Sequence, residues 1–180
     1  IEQLSALERE ILFFFFFERD PVGLDVLRRD FLLDIPSAEI LSALLSLRQR
    51  SLIERSDQGA VFFLLPVLLE YVTDRLVTTV SDQMIKREVD TITKHTLVKS
   101  QSLDHIRDSQ VRMILQPILS QLKRHFGSQV MLSEHLRKLI TFVKQMPRDA
   151  QGYAGGNLIN LMIQLKTNIR GDDFSGLVIR

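Results

Sequence analysis

The chain has 180 residues, with 23 Lys and Arg against 22 Asp and Glu, a formal net charge of +1. That length suits one large domain or two small ones, and so even a balance lacks the basic excess of a dedicated nucleic-acid binder. Cysteine is absent, which excludes disulfides, thiolate metal sites and thiol nucleophiles together and makes a reducing compartment, the cytoplasm, the expected location.

The first residues, "LSALEREILFFFFFERD", place Ser5 and Glu8 at capping-box spacing ahead of Leu4, Leu7, Ile11 and Phe14 at helical intervals. The apolar run Ile11 to Phe17 is far short of the ~20 residues a membrane span needs. It also lacks the basic start and cleavage site of a signal peptide. It reads as a buried helix segment. Pro21 ends that helix. A short helix with Leu24, Leu27 and Phe31 follows, then a third opened by Pro36 and Ser37, with Ile40, Leu41, Leu44, Leu45 and Leu47 expected on one buried face.

Beyond Leu52 the texture changes. "LIERS", a turn over Asp57 to Gly59 and "AVFFLL" read as strand, turn, strand. Pro66 stands where a further helix can begin, with Leu68, Val72 and Leu76 inward. Three helices, a hairpin and another helix predict a winged helix-turn-helix with a two-stranded wing over 1–80. In one common use of that motif the third helix reads the major groove. Arg48 and Arg50 at its end and Arg55 in the wing would be the DNA or partner contacts. Three arginines are a thin footprint for phosphates, so DNA binding is the alternative reading and docking within a larger machine the preferred one.

From Ser81 to about Met146 the sequence predicts helix throughout, a helical linker bundle over 81–150. Its inward stripes are Val80, Met84 and Ile85, then Ile106, Val111, Ile114, Leu115, Ile118 and Leu122, then Leu132, Leu136, Leu139, Ile140 and Val143; Pro117 predicts a kink or break. His95, His105, His125 and His135 lack the close helical pairing of metal ligands. No nucleophile has a base near it, and the carboxylates are scattered along polar helix faces. Neither a catalytic residue nor a metal or cofactor site is expected in this chain.

"QGYAGGNLINLMIQLK" holds the one glycine cluster. It lacks the lysine and hydroxyl of a phosphate loop, so Gly155 and Gly156 read as a close-packed helix entry, with Asn157 as the expected cap. The closing "TNIRGDDFSGLVIR" divides into fives, T-N-I-R-G, D-D-F-S-G, L-V-I-R. Ile169, Phe174 and Ile179 are evenly spaced, and Gly171 and Gly176 each fall two residues behind an apolar one. That period fits neither helix nor pleated strand. It fits a square coil with those three side chains as its core, one that buries its faces only when further coils stack on it. The chain starts at Ile1 without a methionine and stops inside this pattern, and is expected to be part of something longer.

Three stretches, "RSLIERSDQGAVFFLLPVLLEYVTDRLV", "SQVRMILQPIL" and "GYAGGNLINLMIQLKTNIRGDDFSGL", resemble the region after the nucleotide-binding domain in cyanobacterial NB-ARC proteins with C-terminal WD repeats, signal-transduction ATPases of the STAND class. The resemblance runs from about Leu4 to Arg180, and the last stretch is its most specific part. It implies an upstream nucleotide-binding domain carrying ATP or ADP and Mg, a winged helix that holds that domain closed, and a downstream WD-repeat sensor. Helices would transmit between them, with assembly into oligomers on activation. Related winged helices put a His or Gln, reaching the ADP phosphate, just before the first helix after the wing. Here that position is Leu65, ahead of Pro66, and leucine offers no hydrogen bond. The expected architecture is therefore mainly α: the winged helix, the helical linker, and over 151–180 a capping helix and the stub of a pentapeptide-repeat right-handed β-helix.

Overall fold

The computed structural model of the protein describes residues 4–18, 20–30 (the backbone alone at 30), 35–56, 61–99 and 104–179. The predicted turn over Asp57 to Gly59 and the predicted core residue Phe31 lie outside them. The described chain is mainly helical, with a small three-stranded antiparallel sheet. It divides into two compact units, residues 1–72 and 73–180.

In the first unit, α1 (Ala6–Glu18) begins at the predicted capping box. The Ser5 amide donates to Glu8 Oε2 at 2.7 Å and the Glu8 amide to Ser5 Oγ at 3.1 Å, so two free donors of the first turn are satisfied reciprocally. Glu8 is only 6% exposed, and its second oxygen accepts a hydrogen bond from the Ser46 hydroxyl. That bond above all, then those from Ser5, holds the Glu8 carboxyl below its ordinary range. Ile11, Leu12, Phe15, Phe16 and Phe17 are all buried, so the aromatic run is a helix segment enclosed on more than one face.

α1 packs on α3 (Ser37–Gln49) and on β3 (Val61–Leu64). β3 is the central strand. It pairs antiparallel with β2 (Ile53–Arg55), Ile53 opposite Leu64, and with β1 (Val22–Gly23), Val22 opposite Phe62. The third strand corrects the expected two-stranded hairpin. β1 is two residues between Pro21 and α2 (Leu24–Asp30), too short for any alternation to show, and tertiary pairing alone makes it a strand.

α3 also departs from expectation. Ile40, Ala43, Leu44 and Leu47 are buried, whereas Leu41 and Leu45 are each 44% exposed. At 100° per residue the buried set spans a narrow sector, and positions 41 and 45 fall outside it.

α4 (Pro66–Lys86) starts where Pro66 predicts and carries the chain into the second unit. There the region expected to be a helical bundle to about Met146 is a series: α5 (Asp90–Lys94), α6 (Asp104–Gln110), a π-turn (Val111–Leu115), α7 (Gln116–Phe126) and α8 (Gln129–Lys144). Pro117 neither breaks nor sharply ends its helix. It has no N–H for the carbonyl four residues back and its ring crowds that carbonyl, and a widened turn in which the Gln116 amide reaches Val111 O precedes it. Between α7 and α8, Gly127 takes a left-handed φ of 71° and Ser128 caps α8 by accepting from the Met131 amide at 3.1 Å.

The apolar stripes read from the sequence form this unit's core. Ile114, Ile118, Leu122, Leu132, Leu136, Leu139 and Val143 have essentially no exposed surface, and neither do Leu158, Leu161 and Met162 of α9 (Ala154–Gln164). Asn157 does not cap α9. It lies a full turn inside, 2% exposed, with Nδ2 donating to Ile92 O and His95 O and Oδ1 accepting from the Leu97 amide, all at 2.8 Å. One side chain thus satisfies the end of α5 and the irregular segment after it.

Candidate functional site

The most densely organised polar constellation among the described residues joins α8 to the segment of five-residue period behind α9. In that segment a set of hydrogen bonds repeats five residues on. Asn168 Oδ1 accepts from the Arg170 amide at 3.0 Å, and Asp173 Oδ1 from the Ser175 amide at 2.8 Å. The Asp172 amide donates to Ile169 O and the Leu177 amide to Phe174 O, both at 3.2 Å. Gly171 and Gly176, the third residues of those turns, have φ of 88° and 80°, values that favour glycine. The two pentads therefore share a backbone path. Asn and Asp are suited to their place in it because a short side chain can bond the amide two residues ahead.

One stripe of α8 receives this path. Gln129 Nε2 donates to Leu165 O at 2.8 Å. The Ser133 hydroxyl gives its proton to Gln129 O at 2.7 Å, so the Thr167 hydroxyl, 3.4 Å away, is the donor to Ser133. Arg137 bonds Asn168 O at 3.1 Å through Nη2 and Asp172 Oδ1 at 2.9 Å through Nε. Lys144 Nζ bonds Asp173 Oδ2 at 2.7 Å and its carbonyl at 3.1 Å. Positions 129, 133, 137 and 144 recur on one side of a helix, and their partners advance along the segment in the same order.

The electrostatics agree with the geometry. The Lys144 bond, then the Ser175 hydroxyl and amide, hold the Asp173 carboxyl well below its usual range. The bond to Asp172 raises the Arg137 guanidinium further above its already high value. Asp172 Oδ2 is buried without a hydrogen-bond partner. Between the two ion pairs, Arg137, Ile140, Thr141 and Lys144 face Asp172, Asp173 and Phe174 across a groove of about 300 Å³.

Past the groove, buried Gln151 fixes the end of the segment. Its Oε1 accepts from the Val178 amide at 2.8 Å, and its Nε2 donates to Gly176 O and Met146 O at 3.2 Å. Leu177 is buried beside Gly155, where a Cβ would come within 2.6 Å of Val178 O. The glycine is a close-packing device, as its cluster suggests. Gly152 is another: at φ 50° it lets the Tyr153 amide reach Thr93 O at 2.9 Å.

Of the three residues expected to form the coil's core, Ile169 and Phe174 are half-buried, while Ile179 is 63% exposed. Among the described residues no second layer covers Ile179. Arg48 and Arg50 are exposed at the end of α3, and Arg55 is exposed on β2, an edge strand. The helix bearing two of these arginines presents Leu41 and Leu45 as its apolar outer residues, so it is not an all-polar reading face. The Leu65 side chain is half-buried, and its carbonyl accepts the Leu69 amide at 2.9 Å in the first turn of α4.

His135 is buried and bonded through Nε2 to Met84 O at 2.7 Å, which makes that nitrogen the N–H donor. Its ring centroid lies 4.4 Å from that of Phe126. Among the described residues no three His, Asp or Glu side chains converge as metal ligands, and no helix is long and apolar enough to cross a membrane.

Sequence reasoning found the five-residue period but missed its receptor. The signal was present: Gln129, Ser133, Arg137 and Lys144 recur at helical spacing beside the apolar stripe. Gln151 carried none, since its role depends on a loop 25 residues away in the chain.

No protein-family model and no solved structure matches the chain. It is 34% identical over 211 aligned positions to a WD repeat-containing protein of Nostoc sp. (strain PCC 7120), and the match takes in 99% of this chain and 17% of that relative. The similarity is thus to one stretch of a much longer protein, and it runs through both compact units and the five-residue turns.

Proposed function

We propose that this chain is the switch-and-linker part of a multidomain STAND-type ATPase of the NB-ARC kind. It couples an upstream nucleotide-binding domain to a downstream WD-repeat sensor, and turns over no nucleotide itself. Three features support the reading. The order helix, strand, helix, helix, strand, strand, with β3 central in the sheet, suits a winged helix. The Asx and glycine turns repeating at five residues suit the first side of a pentapeptide coil. The relative in Nostoc is WD repeat-containing by name.

The observation that carries the proposal is the joint on α8, where one helix stripe grips successive groups of the turn segment. A helical body bonded in this way to the start of a repeat has the form of a mechanical connection. The outer face of α3 supports contact with protein rather than DNA. Leu41 and Leu45 gain by burial, and the three arginines Arg48, Arg50 and Arg55 neutralise few phosphates.

Localised in the cytoplasm, the segment would hold the nucleotide-binding domain closed through unit 1, and Leu65 would contribute its backbone and not a polar side chain to that contact. The test is binding. The purified 180-residue chain should bind the separately expressed region that precedes it in its parent protein, with the interaction weakened by Leu41→Asp together with Leu45→Asp. It should show neither ATP hydrolysis nor salt-dependent retention of duplex DNA at low ionic strength. DNA retention lost on Arg48→Ala with Arg50→Ala would instead support a DNA-binding regulator and overturn the proposal.

A further inference from the structure

The turn segment and the helical body are held together by chemistry unlike that within either. Inside the helical unit the core is mainly apolar side chains with essentially no exposed surface, and polar groups such as Asn157 are buried and bonded within it. Across the joint they are hydrogen bonds and ion pairs with partly exposed partners: the Arg137 and Asp172 side chains are 39% and 21% exposed, those of Lys144 and Asp173 25% and 69%. Exposed pairs of this kind contribute little net stability, and salt screens them. Leu177 is the one fully seated apolar anchor, since Ile169 and Phe174 are half-buried. Asp172 Oδ2 is buried without a partner, a desolvation cost that disappears if the segment lifts into water.

The turns, by contrast, are closed locally. Asn168 to Arg170, Asp173 to Ser175, Ile169 to Asp172 and Phe174 to Leu177 are all bonds internal to the segment. Lifting it therefore breaks the contacts to α8 and Gln151 while its own folded path remains.

We infer that residues 166–179 form a strap that detaches from α8 as a unit, opening the groove over Ile140 and Thr141 while α7, α8 and α9 stay folded. Attachment and release of this strap would be the two states of the connection proposed above. The inference deepens that reading but is tested on the chain alone, so either can fail without the other.

The experiment is native-state hydrogen exchange of the whole 180-residue chain, read residue by residue. The Val178 amide, whose bond to Gln151 Oε1 lifting breaks, should exchange at least ~30-fold faster than those of Leu158 and Leu161, through an opening that the helices do not share. Raising the salt from about 0.05 M to about 1 M should accelerate it further. Arg137→Gln with Lys144→Gln should speed strap exchange roughly tenfold and leave α9 unchanged. Asp172→Asn with Asp173→Asn should do the same from the strap's side, should the first pair fold poorly. Exchange of Val178 in step with Leu158 overturns the inference. So does a strap whose exchange ignores both salt and these substitutions, or a double variant that loosens α9 by the same factor.

Discussion

Replacing Asn157 should be among the most damaging single changes in the second unit. Asn157→Ala removes three 2.8 Å hydrogen bonds at once. It strands the amide of Leu97, a fully buried residue, and takes the Asn157 donor from the carbonyls of Ile92 and His95. An orphaned buried group costs about 1–3 kcal/mol, and carbonyls, with two lone pairs, sit at the lower end, so the loss should be about 3–5 kcal/mol. With a urea slope of about 2 kcal/mol/M, the midpoint followed by far-UV circular dichroism should fall by about 2 M.

The isosteric Asn157→Asp sharpens the test. It keeps an acceptor for Leu97 but turns a carboxylate oxygen towards two carbonyls. Burial and that repulsion raise the folded-state carboxyl above its unfolded value of about 3.9. The folded variant then binds more protons than the unfolded one in the window above about pH 4, and its stability falls as pH rises through that window. The gap between wild type and Asn157→Asp should therefore narrow from pH 7 to pH 4. An Ala variant within about 1 kcal/mol of wild type, with the Leu97 amide still protected from exchange, would refute the reasoning.

Burial lowers the ionisation of both His135 and His95, against a smaller rise for His135 from the Met84 carbonyl and with further lowering by Arg87, Lys138 and His125. The unfolded chain then binds more protons just below the ordinary histidine value of about 6.5. The urea midpoint should fall as pH drops from 7 through that value, and His135→Gln with His95→Gln should flatten the slope. Ser51, Arg87 and Lys166 hold left-handed φ of 55°, 64° and 56° where helices α3, α4 and α9 end, each followed by an amide bonded back to Leu47, Gln83 or Met162. Each change to Gly should raise stability by about 0.5–1 kcal/mol in chemical denaturation. Ser81 Oγ is buried without a partner, so Ser81→Ala should match or exceed wild-type thermal stability, by up to about 1 kcal/mol. A drop would mean that the hydroxyl is bonded.

Local patterns with short-range causes were legible in the sequence. The Ser5–Glu8 box, the Pro66 start, the core stripes of α7 and α8 and the five-residue turns all follow from residues within a turn or two of one another. What escaped was set by distant partners. β1 exists because Val61 and Phe62 lie beside Val22 and Gly23, and Asn157 looked like a cap until α5 was brought against it. Hydrophobicity alone would turn Leu41 and Leu45 inward, but angular position on the helix decides which leucines are covered. The helix breaks after Lys86 and at Gly127 were also underread. Only the second carried a plain sign, Gly127–Ser128; after Lys86 the chain turns on Arg87 at a left-handed φ that no glycine announces. In the candidate site, the repeating segment was visible and its anchoring stripe on α8 was not, because polar residues at helical spacing look the same whether they face water or a partner.

The proposed coupling of the turn segment to a nucleotide-binding domain through the α8 joint is read out by nucleotide exchange. In the full-length parent protein, release of a fluorescent ADP analogue should change several-fold when Arg137→Gln and Lys144→Gln weaken the joint, with melting of the helical unit unaltered. Release at the wild-type rate, from protein whose strap exchange shows the joint to be open, would contradict it.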